Sequence, residues 1–174
     1  YNGAHAANGQ ASLTIDGTTF TGNSVKADFN TTQNDNIAGG AIFNDTNAKL
    51  DVKNATFTDN TSSLKGGAIF NRDGNVTITD STFKGNSVPK SAGGAVLNES
   101  GDINKDGTIT ITGSTFEGNK AGNGGAVWNG SDGKVEIADS TFKGNTALAE
   151  GGLGQGGAIT NANAMTITGG SFAN

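Results

Sequence analysis

The stretch from Gly66 to Asn86, GGAIFNRDGNVTITDSTFKGN, returns in altered form from one end of the chain to the other, and this recurrence limits what the chain can fold into. Its first part reappears as Gly39-Gly40-Ala41-Ile42-Phe43-Asn44, Gly93-Gly94-Ala95-Val96-Leu97-Asn98, Gly124-Gly125-Ala126-Val127-Trp128-Asn129 and Gly156-Gly157-Ala158-Ile159-Thr160-Asn161. Its middle triplet, Val76-Thr77-Ile78, has counterparts starting at Leu13, Leu50, Ile109, Val135 and Met165, each a fixed distance before a Phe: Phe20, Phe57, Phe83, Phe116, Phe142 and Phe172. Its last part, Phe-x-x-Asn, ends at Asn23, Asn60, Asn86, Asn119 and Asn145. Self-similarity of this length marks a solenoid, in which one repeat cannot bury its apolar face without its neighbours.

The residues inside the unit identify the kind of solenoid. Helical repeats need runs of helix formers with apolar positions three and four apart, whereas these alternate apolar and polar and are punctuated by Gly, Asn and Asp. Val76-Thr77-Ile78-Thr79 has period two and is β-branched throughout, and Asp73-Gly74 before it is turn chemistry. The expectation is an all-β chain: a parallel β-helix of about five to six coils, with three short strands per coil (GGAIFN, VTIT and STFKG). At a rung spacing of roughly 4.8 Å this makes a rod on the order of 25–30 Å long.

Phase sorts the side chains. In GGAIFN the fourth position is always Ile or Val and the sixth always Asn, while the fifth runs Phe, Phe, Leu, Trp, Thr. The regular positions share one parity, which places Ile42, Ile69, Val96, Val127 and Ile159 inside with their Asn partners, beside Val76, Ile78 and the Phe column. The Asn columns become amide ladders, each amide donating to one coil and accepting from another. By the same parity Phe43, Phe70, Leu97 and Trp128 point outward, which predicts an exposed apolar stripe and a binding surface.

Composition agrees. At 174 residues the chain is read as one domain, a single β-helix segment spanning 1–174; it stops at Phe172-Ala173-Asn174 in mid-repeat, as expected for a piece of a longer protein. The 29 Gly would suggest disorder if they were aperiodic, but they follow the repeat. With no Cys, neither disulfides nor thiolate chemistry is available. A formal charge of −5, one Arg and no basic cluster argue against nucleic acid as a partner, and no stretch is apolar for long enough to insert into a membrane as a helix.

Departures from the repeat are the remaining candidates. His5, in a degenerate first strand Gly3 to Asn8, has no carboxylate or Ser motif near it and reads as a surface residue. Ser24 to Ala38 and Thr146 to Gln155 are insertions at the same corner of the coil, and solenoid insertions often line the binding face. Lys84, Glu117 and Lys143 make a surface charge ladder. Asp102, Asn104 and Asp106, in Asp102-Ile103-Asn104-Lys105-Asp106-Gly107, have the spacing of the first half of a calcium loop, although Gly113 stands where its last acidic ligand belongs. Calcium there would pin a turn, and an ordinary Asx turn explains the same residues. No other cofactor is expected.

Gly-Gly-Ala-Ile/Val and Phe-x-x-Asn repeats resemble those of the polymorphic membrane proteins, autotransporter passengers of bacterial surfaces, and more widely those of secreted bacterial β-helix repeat proteins. The resemblance covers nearly the whole chain. It implies a right-handed β-helix outside a bacterium, adhering to a host-cell protein or glycan or self-associating with sister cells, with the two motifs themselves linked to adhesion. The residues argue otherwise on that last point, since Ile69 and Phe83 belong inside. Two rival readings are a polysaccharide-degrading or carbohydrate-binding β-helix and an ice-binding protein. Catalysis needs gathered carboxylates, whereas Asp80 and Asp139 lie two coils apart, roughly 10 Å. The Thr-x-Thr rows Thr77/Thr79, Thr110/Thr112 and Thr166/Thr168 that ice binding would use are interrupted by Asp51/Lys53 and Glu136/Ala138.

Overall fold

A computed structural model describes residues 1–3, 9–26, 38–100, 107–149 and 153–174. Among them every regular element is a strand, and all strand pairs are parallel. The chain is a β-solenoid whose coils stack in register, so each sheet gathers one part of the repeat.

The triplet sheet has six strands, from Ala11–Asp16 through Ala48–Lys53, Asn75–Thr79, Thr108–Thr112 and Lys134–Ala138 to Ala164–Thr168. The phenylalanine sheet also has six, from Thr19–Thr21 to Ser171–Ala173. The motif sheet, built from GGA[IV]xN, has five, from Ile42–Asn44 to Ile159–Asn161. Registers pair like with like: Ile42 with Ile69, Ile69 with Val96, Val96 with Val127, and Val127 with Ile159.

Two details differ from the expectation. A fourth, variable sheet follows each Phe-x-x-Asn, with five strands: Ser24–Val25, Thr61–Ser62, Ser87–Ala92, Lys120–Asn123 and Thr146–Ala147. Its rungs are short and share no motif, which hides them from a search for recurrence. At the start of the chain, Asn2 occupies the asparagine rung: it bridges Asn44 and donates to its side-chain oxygen at 2.7 Å; Asn8 lies outside the described residues. His5 lies outside the described residues.

The core is the thin column that periodicity required. Leu50, Ile78, Ile109, Ile111, Ile69 and Val127 are fully buried, and the rings of Phe20, Phe57, Phe83, Phe116, Phe142 and Phe172 stack 4.7–4.8 Å apart and within 4° of parallel. This spacing is the rung spacing itself, so each ring copies the position of the ring below. Burying each such side chain stabilises by about 1.5–3 kcal/mol.

Three polar ladders close the corners. Asn44, Asn71, Asn98 and Asn129 each donate to the next asparagine's oxygen at 2.8–2.9 Å and to a carbonyl of their own turn. Asn60, Asn86 and Asn119 accept both the amide and the side-chain NH2 of the preceding asparagine, while their own NH2 groups return to Phe20, Phe57 and Phe83 carbonyls. Sequence reading missed the third: Ser81, Ser114 and Ser140 accept backbone amides from the adjacent coil and donate to the carbonyl two residues back. Buried groups that would cost about 1–3 kcal/mol each if left bare are thus satisfied.

The paired glycines have the same structural origin. Gly66 has φ of +57°, and a Cβ on it would lie 2.3 Å from the Ile69 carbonyl oxygen. A Cβ on Gly67 would lie 2.0 Å from the carbonyl oxygen of Gly94 in the next coil. The motif is a tight corner where backbones of successive coils meet, and no larger residue fits.

Candidate functional site

The expected apolar stripe is stacked but not exposed. Phe43 pairs with Phe70, Phe70 with Leu97, and Leu97 with Trp128, on the opposite face from Ile69 and Asn71, so the parity is as expected. Yet Phe43 is only 7% exposed, Phe70 0% and Leu97 1%; with Ala38 and Ala92 they form a second apolar cluster outside the main core. Trp128 packs against it and alone remains half-buried, its indole lying where a side chain on Gly130 would be. A stripe able to meet a partner is therefore reduced to Trp128.

Charged side chains form the cover. The Lys65 ammonium sits 5.4 Å from the Phe70 ring centre and pairs with Glu99 at 2.8 Å. The Arg72 guanidinium sits 5.0 Å from the Phe43 ring and binds Asp45 through two hydrogen bonds of 2.8 and 2.9 Å. Tyr1 packs edge-on against Phe43 and donates its hydroxyl to Asp45 at 2.7 Å. Burial pushes the Asp45 carboxyl up, but hydrogen bonds from Arg72, the Thr46 amide and Tyr1 outweigh it and hold the group below the ordinary carboxylate range. The hydrogen bond to Asp45, then burial, raises the Tyr1 hydroxyl, and the same carboxylate raises Arg72. Cations over ring faces and paired with acids make a polar roof on an apolar column.

The other sequence candidates fare differently. Asp102, Asn104 and Asp106 lie outside the described residues, and among the described residues no group of three acidic or His side chains could hold a metal ion. Lys84, Glu117 and Lys143 share a register, with Lys84 and Glu117 3.3 Å apart on the exposed surface. Asp80 and Asp139 occupy one corner position, both with φ of +49°, a left-handed conformation that Asp tolerates by bonding locally. That supplies a structural reason for acids at this position. The outward Thr rows share the triplet sheet's register, and the ion pairs Lys49–Asp51 and Lys134–Glu136 stand among them.

What changes between coils is the variable sheet. Asn86 to Gly93 and Asn119 to Gly124 differ in length by two residues, and the register of Ser87–Ala92 against Lys120–Asn123 shifts between Val88 and Ala92. At the last such corner, Asn123 accepts the amides of Leu153 and Gln155, holding Leu153 78% exposed.

The fold and these sites define a parallel β-solenoid whose repeats are satisfied internally and whose variation is external. Residues 54–72, 113–130 and 139–162, about a third of the chain, match the model of the Chlamydia polymorphic membrane protein repeat. The chain is therefore a β-helix repeat protein with segments similar to the polymorphic membrane protein repeat. No curated protein and no solved structure matches it significantly.

Proposed function

We propose that this chain is a non-enzymatic β-helix segment of a bacterial surface protein, of the autotransporter-passenger kind, that attaches the cell to host or sister cells. The repeat family supports a place at the bacterial surface. One structural observation carries the rest: each motif position has an internal job, glycines at the coil contact, Ile and Phe in the core, Asn in the ladders, so recognition falls to outward residues that differ from coil to coil. Partners are a host-cell protein or glycan, or a second copy of the chain. The motifs act in adhesion by building the rod.

The test is attachment of beads coated with the purified chain to cultured cells, compared with beads carrying Trp128→Ser/Leu153→Ser. Wild-type beads attach and the variant loses most of the attachment while staying folded, its melting temperature lowered by only about 2–4 °C, because both residues are at least partly exposed. Beads that attach no better than albumin-coated controls contradict the reading.

A further inference from the structure

The variable sheet carries a cleft of about 280 Å³ that crosses three successive coils, from Val25 and Lys26 through Thr61 and Ser63 to Pro89 and Lys90. Its size is near the lower end of small-ligand sites, roughly 300–1,000 Å³.

A local break in regularity makes the cleft. Pro89 is the chain's single proline, and it lies in the middle strand of the five-stranded variable sheet. Proline cannot donate to a ladder and is confined within sheets to edges and bulges. Here the alternation fails: Val88 is buried, then Pro89 and Lys90 are both exposed, and the register shifts past Val88. Bulges of this kind re-aim side chains and recur beside binding sites.

The chemistry of the walls is specific. Among the described residues neither Lys26 nor Lys90 has a carboxylate partner, a state they share with Lys53, Lys120 and Lys143, but these two line the same cleft. Two cations unpaired among the described residues thus line one cleft in a chain of net charge −5. They stand on rungs two apart, about 10 Å along the rod, leaving room for a ring between them. Pro89 and Val25 give an apolar wall, and the Thr61 and Ser63 hydroxyls, neither hydrogen-bonded among the described residues, give hydrogen-bonding groups. Apolar contact for a pyranose face, hydroxyls for its hydroxyls and ammonium groups for an anion are complementary to a charged sugar.

We propose that this cleft binds an acidic saccharide, with its carboxylate or sulfate held between Lys26 and Lys90 and a ring face on Pro89. The proposal deepens the attachment reading by naming the ligand class, and it can fail independently. Titration calorimetry of the purified chain uses 3′-sialyllactose, lactose, a heparin-derived tetrasaccharide and hexaglutamate. An acidic saccharide is expected to bind at least tenfold more tightly than lactose, with affinity falling as salt rises; the sialyl and heparin arms tell carboxylate from sulfate. Lys26→Glu/Lys90→Glu is expected to weaken binding at least tenfold at an unchanged melting temperature. Lys53→Glu/Lys143→Glu, with the same charge change elsewhere, is expected to leave it intact. Binding of neither acidic sugar, equal binding of lactose, tighter binding of hexaglutamate, or equal loss in both double variants overturns the proposal. Bead attachment without sugar binding removes the cleft and spares the adhesive reading; sugar binding without attachment does the reverse.

Discussion

Two aromatic columns run along this rod, one inside the sheets and one outside. The inner column is phenylalanine at every level, with rings within 4° of parallel. The outer column runs Phe43, Phe70, Leu97, Trp128, and its first two rings are tilted by 28°. Phe70 and Phe83 are both fully buried, so burial does not explain the contrast. What differs is the enclosure. The inner ring is bounded by sheet whose geometry repeats at every level, so one side chain fits every level. The outer ring is bounded by Lys65, Arg72, Glu99 and Asp45, flexible or paired groups that adjust to whatever lies beneath. Uniformity along a solenoid therefore reports a rigid container rather than importance for binding.

The comparison can be broken by substitution. Removing the ring from each column, Phe83→Ala should destabilise by about 4 kcal/mol and Phe70→Ala by about 3, both within the range for a buried aromatic. Trp128→Ala should cost only about 1 kcal/mol, because its indole is half-buried. Urea unfolding measures all three, and a Phe70→Ala cost near zero would show the outer column to be open in solution. A conservative change sharpens the contrast: Phe70→Leu should cost under about 1 kcal/mol, since Leu97 already fills the equivalent level, while Phe83→Leu should cost about twice that.

The polar closures of the two columns differ in the same way. Asn86→Ala leaves an Asn60 amide, an Asn60 NH2 and the Phe57 carbonyl without their partner inside the wall, and about 2–3 kcal/mol should be lost. Asp45→Asn loosens the roof from outside and should cost about 1 kcal/mol at neutral pH. Because the folded state depresses the Asp45 pKa, its contribution is present above the ordinary carboxylate value and is lost as pH falls through the folded one. Wild type and Asp45→Asn should thus converge in stability below about pH 4; a constant gap down to pH 2 would remove the ion pair from the account. Smallest of all, Glu117→Gln on the exposed ladder should change stability by under about 0.5 kcal/mol.

The inner column was legible in the sequence for the reason it is uniform: Ile69, Phe83, Asn71 and Asn86 recur because the container repeats, and recurrence gave register and phase together. The outer column's direction was legible too, from the parity of Phe70 against Ile69. Its cover was not, because Lys65, Arg72 and Glu99 fall at positions with no motif, and a charged residue in a turn ordinarily reads as solvated. The variable sheet escaped for a related reason: Ser87–Ala92 and Lys120–Asn123 share neither length nor residue pattern, and its cleft arises from that mismatch. The serine ladder was hidden inside the strand assigned to Phe83, since Ser81 reads equally well as strand or corner.

In-register stacking underlies both columns, and since the chain has no cysteine it can be tested covalently. Thr77 and Thr110 are exposed register partners on adjacent coils, and Glu136 is the partner one coil further. Adjacent rungs are about 4.8 Å apart, within the roughly 4.4–6.8 Å that a disulfide spans between Cα atoms, and alternate rungs are not. Under mild oxidation Thr77→Cys/Thr110→Cys should close an intramolecular disulfide, seen by mass spectrometry, while Thr77→Cys/Glu136→Cys stays reduced. A folded first variant that stays reduced, or equal closure in both, would contradict the stacked parallel rungs on which the whole description stands.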